Sequence, residues 1–423
     1  MKTTIGFIRS KAPFFFSFFL TKGIVFLTPL LLADILIHED FGKLEYALAG
    51  LGFVLNALIN LGVPGGYPYF LLKEKSVKVS NGFNMHLLWL SLMFFGNQIA
   101  YFLLGFGLEL YMSFNVAFII ANQVFYSTRL KTNEKPIKAI FFDSGIYLLL
   151  LLLYLIFYWD LSAVSISTIN LFLLGYASFY FILGIRKFLL GDKTEIIIQY
   201  RRILKYSISV MLGSFLIFLL TASGRILVEF FFTFEDVAGY AFYFRISAVA
   251  VMIYQMISIL YYKKLYTYVP AKLDSFFSLF FLAMGMLSVA LFFVAPYILE
   301  LFSEFFNHTY AQYKGIYFLL SFQMVMWIAT ALNSSIVDRE NLARKNNIWF
   351  LGLILISLGV LFLLQKKLDM ILLVFVHMTV IFVAALIQYR SLNTKGIIFK
   401  KSIFALSFLY LAAAICFFTG ILQ

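Results

Sequence analysis

The sequence predicts an all-α polytopic membrane protein, built as two six-helix halves with one extra helix at the C-terminus. Hydrophobic residues make up 63% of the 423 residues, and charged residues make up only 13%. The apolar residues form thirteen runs, each long enough to cross a hydrocarbon core of ~30 Å at ~1.5 Å per residue. Nearly all of the 33 Lys and Arg residues fall in alternate connections between these runs. By the positive-inside rule, this places the N-terminus in the cytoplasm.

The first half begins with an uncleaved span. Its apolar run follows the short basic segment Met1–Lys11 and is about twice as long as the core of a signal peptide, so we expect it to stay in the protein. Pro29 within this run removes one backbone hydrogen bond and permits a bend. Basic connections after the second and fourth runs assign those connections to the cytoplasm. The first six spans are predicted at residues 13–37, 41–70, 83–106, 108–128, 139–158 and 161–185.

The second half starts again from the cytoplasmic side, after a basic connection at 186–205, and two halves of one orientation are typical of parallel repeats. The turn after the first span of each half has a similar pattern, His38-Glu39-Asp40-Phe41-Gly42 against Phe234-Glu235-Asp236-Val237-Ala238. The remaining spans are predicted at residues 206–232, 237–262, 275–299, 315–336, 347–365, 369–389 and 402–421. The predicted organisation is an N-terminal six-helix lobe at 1–188, a cytoplasmic connection at 189–205, a C-terminal six-helix lobe at 206–390 and an additional transmembrane helix at 391–423.

Composition and motifs argue against several functional classes. The longest predicted connection is too short for a soluble domain, and the sequence has no phosphate-binding loop, no zinc-protease motif and no hydrolase nucleophile elbow. We therefore expect neither an enzyme nor a metal site. The net charge of +13 is explained by cytoplasmic loops facing an anionic leaflet, so nucleic acid is not an expected partner. Cys416 is the single cysteine, which excludes an intramolecular disulfide.

Cations inside the predicted spans are the candidate substrate-binding residues, because each costs ~2.5–3.5 kcal/mol at a helix centre. They are Lys22, Arg225 and Arg245. Each arginine is ten residues from Glu235, so both should lie at similar depth, with Lys22 deeper. Guanidinium and ammonium groups along one track suit phosphates or acidic sugars. The alternative is that Glu229, one helical turn from Arg225, neutralises that arginine and locks the helices together.

Carboxylates and amides inside the spans are further candidates. Glu45, Asp143 and Glu229 are candidate ion-coupling residues for H⁺ or Na⁺, although Asp143 can also reach the membrane interface. Asn56 and Asn60 share one face of the second span, and either line a wet cavity or join helices. We favour cavity lining, and so count both as substrate-binding candidates. No other cofactor is expected.

Several segments of the chain match those of a known family: Glu39-Asp40-Phe41-Gly42, Leu61-Gly62-Val63, Gly224-Arg225-Ile226-Leu227, Glu235-Asp236-Val237-Ala238-Gly239-Tyr240 and Tyr310-Ala311. In this pattern the chain resembles the polysaccharide flippases of the multidrug/oligosaccharidyl-lipid/polysaccharide exporter superfamily, which include O-antigen and capsule repeat-unit flippases. Family members often carry Asp immediately before the arginine of the seventh span, where this chain has Gly224. An ion-coupling role of that Asp is therefore not carried over.

The resemblance implies two six-helix lobes around a central cavity that opens alternately to either side of the plasma (inner) membrane. It implies a glycan on a polyprenyl pyrophosphate as substrate, turned from the cytoplasmic to the outer leaflet. Membrane lipids are expected partners, and a glycan polymerase and other assembly proteins are candidate partners.

Three functions stay open from the sequence. The first is the lipid-linked oligosaccharide flippase, with a cationic cavity. The second is an ion-coupled small-molecule or multidrug antiporter of the same fold, which would favour an acidic cavity. The third is a membrane glycosyltransferase or polymerase, which would require a larger outer loop than any in this chain. We rank them in this order.

Overall fold

The structure is a computed structural model that describes residues 2–73, 79–157, 164–255, 269–340 and 342–419. Within these ranges every regular element is a helix, and no strand occurs. Ten helices are long and apolar enough to cross a membrane, and three bent helix pairs raise the number to as many as thirteen. The prediction of an all-α polytopic membrane protein is therefore confirmed.

The chain divides into two compact units, Met1–Leu212 and Gly213–Gln423. The first unit contains α1 (Lys2–Ala33), α2 (His38–Ala49), α3 (Leu51–Asn60), α4 (Val63–Pro68) with a π-helical turn at Tyr69–Lys73, α5 (Val79–Leu104), α6 (Leu108–Thr132), α7 (Pro136–Asp143), α8 (Gly145–Ile156), α9 (Ile166–Leu190) and the first part of α10 (Ile196–Thr221). The second unit contains the rest of α10, α11 (Gly224–Phe231), α12 (Phe234–Ser247), α13 (Val249–Gln255), α14 (Pro270–Leu299), α15 (Glu304–Arg339), α16 (Ala343–Leu364) with a 3-10 turn at Gln365–Lys367, α17 (Met370–Asn393) and α18 (Lys400–Phe418).

Helix α6 lies at the centre of the first unit. It packs against α2, α3, α4, α5, α7 and α9, and it is the most buried single spanning helix of that unit. Asn115 of α6 donates to the side-chain oxygen of Asn170 on α9 at 3.5 Å, and Gln123 donates to the Tyr176 hydroxyl at 3.3 Å. Polar side chains in a membrane helix favour contact with another helix over lipid, so these bonds hold α6 inside the unit.

Helix α15 has the same place in the second unit. It is 36 residues long and packs against α12, α14, α16, α17 and α18. It is also the most buried single spanning helix of the whole chain among those that the structure describes. The elements around α15 therefore include α12, which carries Arg245, one of the predicted cationic residues.

The predicted second span, 41–70, is interrupted twice, between α2 and α3 and again between α3 and α4. At the second interruption Leu61 and Gly62 both adopt left-handed backbone conformations, with φ of 51° and 68°. A Cβ on Gly62 would lie 2.4 Å from the carbonyl oxygen of Ser207 on α10. Glycine therefore permits both the backbone turn and the close approach of α10.

The seventh span also differs from the prediction of one helix at 206–232. Helix α10 begins at Ile196, so most of the predicted connection at 189–205 is helical, and only residues 191–195 join α9 to α10. The helix then ends at Thr221, and α11 begins at Gly224.

Asp192 shapes the short connection before α10. Its Oδ1 accepts hydrogen bonds from the Thr194 hydroxyl at 2.6 Å and the Thr194 backbone N–H at 2.9 Å, and Asn81 donates to its Oδ2 at 3.1 Å. These bonds favour the ionised form and lower the pKa of the Asp192 carboxyl. The connection is thereby tied to the start of α5.

Helix α18, the predicted additional helix, lies along α14 in the second unit. The carboxylate of Asp274 on α14 accepts from the backbone N–H groups of Lys401 at 3.1 Å and Ser402 at 2.8 Å, and from the Ser402 hydroxyl at 2.7 Å. The first N–H groups of a helix have no partner within it, so this acceptor from a neighbouring helix fixes where α18 begins.

We expect Asp274→Ala to loosen the start of α18, because buried N–H groups would lose their acceptor at a cost of about 1–3 kcal/mol. The thermal unfolding temperature of the detergent-purified protein should fall, and trypsin should cleave faster at the connection 394–399. Asp369→Ala is the matched control, since Asp369 caps only its own helix through the Leu372 N–H at 2.7 Å. Unchanged proteolysis of Asp274→Ala would contradict this account of α18.

Candidate functional site

The candidate site in the second unit is built on the break in the seventh span, just before α11 begins at Gly224. The break removes the backbone N–H donors that the carbonyls of Leu219 and Leu220 would have in a continuous helix. The hydroxyl of Ser223 donates to the Leu219 carbonyl at 2.6 Å, and Nε2 of His377 donates to the Leu220 carbonyl at 3.1 Å. Side chains thus donate a hydrogen bond to each carbonyl. A broken helix inside a membrane requires this, because no water is present to do so.

His377 connects the break to the central helix of the unit. The side-chain Nε2 of Gln323 on α15 donates a hydrogen bond to Nδ1 of His377 at 3.4 Å. Because Nε2 of the imidazole donates to a carbonyl and Nδ1 accepts, His377 is the neutral tautomer. Both side chains are buried. This is the hydrogen-bonded packing that a single intramembrane histidine usually provides.

Arg225 lies in the first turn of α11, directly after the break. Its guanidinium carbon is 4.7 Å from the centre of the Phe244 ring on α12, and Arg245 is the next residue after Phe244. Arg225 is 4% exposed and Arg245 is 8% exposed. Arg225 therefore lies over an aromatic ring, where a cation is favourably placed, and Arg245 is buried on the neighbouring helix that carries this ring.

Glu229, the predicted neutralising partner of Arg225, does not take that role. It is half-buried, and within the described residues no ion pair joins it to Arg225. The contact of the Arg225 guanidinium with Phe244 is made instead. The predicted neutralisation through i,i+4 spacing is therefore not what the structure contains.

Tyr240 explains why glycine precedes Arg225 in this chain. A Cβ on Gly224 would lie 1.9 Å from the Tyr240 hydroxyl oxygen, and Tyr240 is fully buried. The phenol also interacts electrostatically with Arg225. An aspartate at position 224 would overlap this ring.

Asn56 and Asn60, predicted to bind substrate, lie in the first unit at the start of a buried hydrogen-bond chain. Asn60 donates to the side-chain oxygen of Asn56 at 3.3 Å, and Nε2 of His86 donates to the side-chain oxygen of Asn60 at 3.2 Å. Nδ1 of His86 then accepts from the Tyr200 hydroxyl at 3.3 Å. The chain joins α3, α5 and α10, so these amides contribute to helix packing, the alternative that their spacing left open.

Lys22 lies on α1 in the first unit, with its ammonium 5.8 Å from the centre of the Phe18 ring. Asp143 and Lys131 interact with it electrostatically, and these two residues form an ion pair of 2.6 Å. Asp143 ends α7, at the point where the fifth span bends by 60° into α8. Lys22 and Asp143, which the sequence singled out separately, therefore lie on helices that pack together, α1 and α7, beside a bend in the fifth span.

Glu45, the third ion-coupling candidate, is 0% exposed on α2. It belongs to the first unit, as Lys22 and Asp143 do, whereas Arg225, Arg245 and Glu229 belong to the second. The cationic track from Lys22 to the arginines stays a prediction.

Aromatic residues fill the contact between α12 and α15. The rings of Tyr243 and Tyr313 stack with centres 5.6 Å apart, and the Tyr243 hydroxyl is 3.0 Å from that of Thr309. A Cβ on Gly239 would lie 2.2 Å from Tyr313, so glycine at this position allows the ring to approach. These rings are packing residues, as expected for most intramembrane aromatics.

Sequence reasoning did not identify Gln323 or Tyr200 as members of these hydrogen-bond chains. An amide in a long apolar run, as at Gln323, is a usable signal, because such a group must find a partner inside the membrane. The partner itself is distant in sequence, and no spacing rule indicates it. Among the described residues, no group of three or more His, Cys, Asp or Glu side chains is arranged to hold a metal ion.

No protein-family model matches the chain, and no curated protein or solved structure shows significant similarity to it.

We expect Gly224→Ala to destabilise the second unit, because the added methyl group would overlap the Tyr240 hydroxyl and force a shift costing about 1–3 kcal/mol. Thermal unfolding of the purified protein measures the effect. Gly213→Ala is the matched control, since its Cβ would come no nearer than 3.5 Å to Asn347. Equal unfolding temperatures for the two variants would contradict the role assigned to Gly224.

We expect Asn60→Ala and His86→Ala to be coupled, because each removes the partner of the other. A double-mutant cycle on the free energy of unfolding should give a coupling of about 0.6–1.7 kcal/mol, the range found between membrane helices. The same cycle between Asn60→Ala and Ser402→Ala, which lie in different hydrogen-bond networks, should give none. Strict additivity for Asn60 and His86 would rule out the hydrogen-bond chain.

Proposed function

We propose that the protein is a flippase that moves an oligosaccharide carried on polyprenyl pyrophosphate from the cytoplasmic to the outer leaflet of the plasma membrane by alternating access. The observation that carries the proposal is the burial of Arg225 and Arg245 on two helices, α11 and α12, that pack together in a membrane-type helical unit. A charged residue costs ~2.5–3.5 kcal/mol at the centre of a membrane helix, and such residues usually mark a substrate or ion pathway.

The chemistry of the two arginines favours a phosphate-bearing substrate. A guanidinium offers forked donors that match two phosphate oxygens, and two buried guanidinium groups on packed helices suit a pyrophosphate. Arg225 also lies in the first turn of α11, which begins after a break. The N-terminus of a half-helix carries a partial positive charge, and discontinuous helices form the anion sites of many transporters.

We further propose that the two halves are parallel repeats. The second span of each half is broken in its middle, between α2 and α3 and between α12 and α13. The fourth span of each half, α6 or α15, is the most buried single spanning helix of its unit. The Asp that opens each second span accepts a backbone hydrogen bond: Asp40 from Ile166 at 3.2 Å, and Asp236 from Thr233 at 3.2 Å.

A buried acid supports ion coupling. Glu45 is fully buried within α2, where a carboxylate that binds and releases H⁺ or Na⁺ would be shielded from bulk water. The same observation favours the second candidate function, an ion-coupled antiporter for small molecules. The substrate assay below separates the two.

We expect Arg225→Gln and Arg245→Gln each to lower flipping of a polyprenyl-pyrophosphate oligosaccharide in proteoliposomes by about tenfold or more, since each removes charge-assisted bonds worth ~1.5–3 kcal/mol. Lysine at either position should retain part of the activity. Flipping is measured as the fraction of glycan that becomes accessible to a membrane-impermeant lectin or oxidant.

The control is Arg186→Gln, an exposed arginine on α9 that loses the same charge. Full activity of both buried-arginine variants, with protein levels equal to wild type, would contradict the role of the arginine pair. A wild-type protein that fails to flip the glycan but exchanges small organic cations for H⁺ or Na⁺ would move the antiporter to first place.

A further inference from the structure

A groove lies between α14 and α18, at the end where both helices begin. Its volume is 340 Å³, and it is lined by Ser278, Leu282, Lys400, Lys401, Phe404 and Ala405. Further along, the two helices close on each other, since a Cβ on Gly285 would lie 2.6 Å from the Leu409 side chain. The helices also touch at the start of α18, where the Ser402 hydroxyl donates to the Asp274 backbone carbonyl at 3.0 Å. The groove, called the wedge below, is therefore a shallow space between two close contacts of α14 and α18.

The mouth of the groove is basic. Lys400 and Lys401 are both exposed, and the Lys401 ammonium donates to the Ser275 hydroxyl at 3.1 Å. The nearby acid, Asp274, is buried and already accepts from the backbone N–H groups of Lys401 and Ser402. The Asp274 carboxylate thus accepts its hydrogen bonds from the start of α18, and the ammonium groups of Lys400 and Lys401 remain at the surface.

The wall below the lysines is apolar and exposed. Phe404, one turn into α18, is 75% exposed, and Leu282 on α14 is half-buried. On helices apolar enough to cross a membrane, such side chains face acyl chains. Basic pockets between membrane helices at the cytoplasmic end bind anionic lipid head groups. Ammonium groups above an apolar wedge match the two parts of a phospholipid, a phosphate and an acyl chain.

We propose that this groove is a binding site for an anionic phospholipid, with the phosphate between Lys400 and Lys401 and an acyl chain along Phe404 in the wedge between α14 and α18. The site is separate from the arginine pair and does not depend on the proposed flippase activity. It anchors the last helix of the chain to α14 through a lipid, in addition to Asp274.

The test uses the purified full-length protein, stripped of lipid in detergent and titrated with phosphatidylglycerol or phosphatidylcholine, with bound lipid counted by native mass spectrometry. We expect wild type to bind phosphatidylglycerol more tightly, and inorganic phosphate not to displace it. The Lys400→Gln/Lys401→Gln variant should lose about tenfold in affinity for phosphatidylglycerol. Ser278→Phe, which fills the wedge, should weaken binding of both lipids.

The matched control is Lys135→Gln/Lys138→Gln, which removes an exposed lysine pair from the start of α7 and should leave binding unchanged. Equal binding of the two lipids by wild type would overturn the proposal. The same holds if the Lys400/Lys401 variant and the control lose phosphatidylglycerol equally, because the attraction would then be a property of net charge alone.

Discussion

An interrupted helix inside a membrane must find other donors for its free carbonyls, and the second unit depends on how the seventh span meets this requirement. His377 and Ser223 supply the donors. Their bonds fix where α10 ends and thereby where α11 begins, with Arg225 in its first turn.

The same physical rule applies at other helix ends and turns of the chain. Asp40 accepts from the first N–H of α9, and Asp274 accepts from the first N–H groups of α18. In each case a side chain from one helix completes the hydrogen bonding of another, so the ends are positioned by neighbours and not by local sequence. Glycines make the close contacts possible, as at Gly224 against Tyr240 and Gly239 against Tyr313.

Hydropathy and charge predicted the class of fold, because length and apolarity of a span are local properties of the sequence. The breaks could not be predicted in this way, since hydropathy does not show where residues such as Leu61 and Gly62 adopt left-handed backbone conformations or which helix packs against them. Counting residues from Glu235 predicted that Arg225 and Arg245 lie at similar depth on neighbouring helices, and the structure brings Arg225 to Phe244, the residue before Arg245. The partners of Asn60 could not be predicted, because His86 is 26 residues away and Tyr200 is 114 residues from His86.

Glu229 shows that sequence spacing alone does not predict an ion pair. It lies one helical turn from Arg225, but among the described residues no ion pair joins the two side chains.

The most direct test of the flippase proposal is the leaflet location of lipid-linked glycan in source cells that lack this gene. The account predicts that the glycan accumulates on the cytoplasmic leaflet, and that wild-type protein, but not a variant with both Arg225→Gln and Arg245→Gln at wild-type membrane levels, restores it to the outer leaflet. An unchanged distribution of the glycan in cells without the gene would contradict the account.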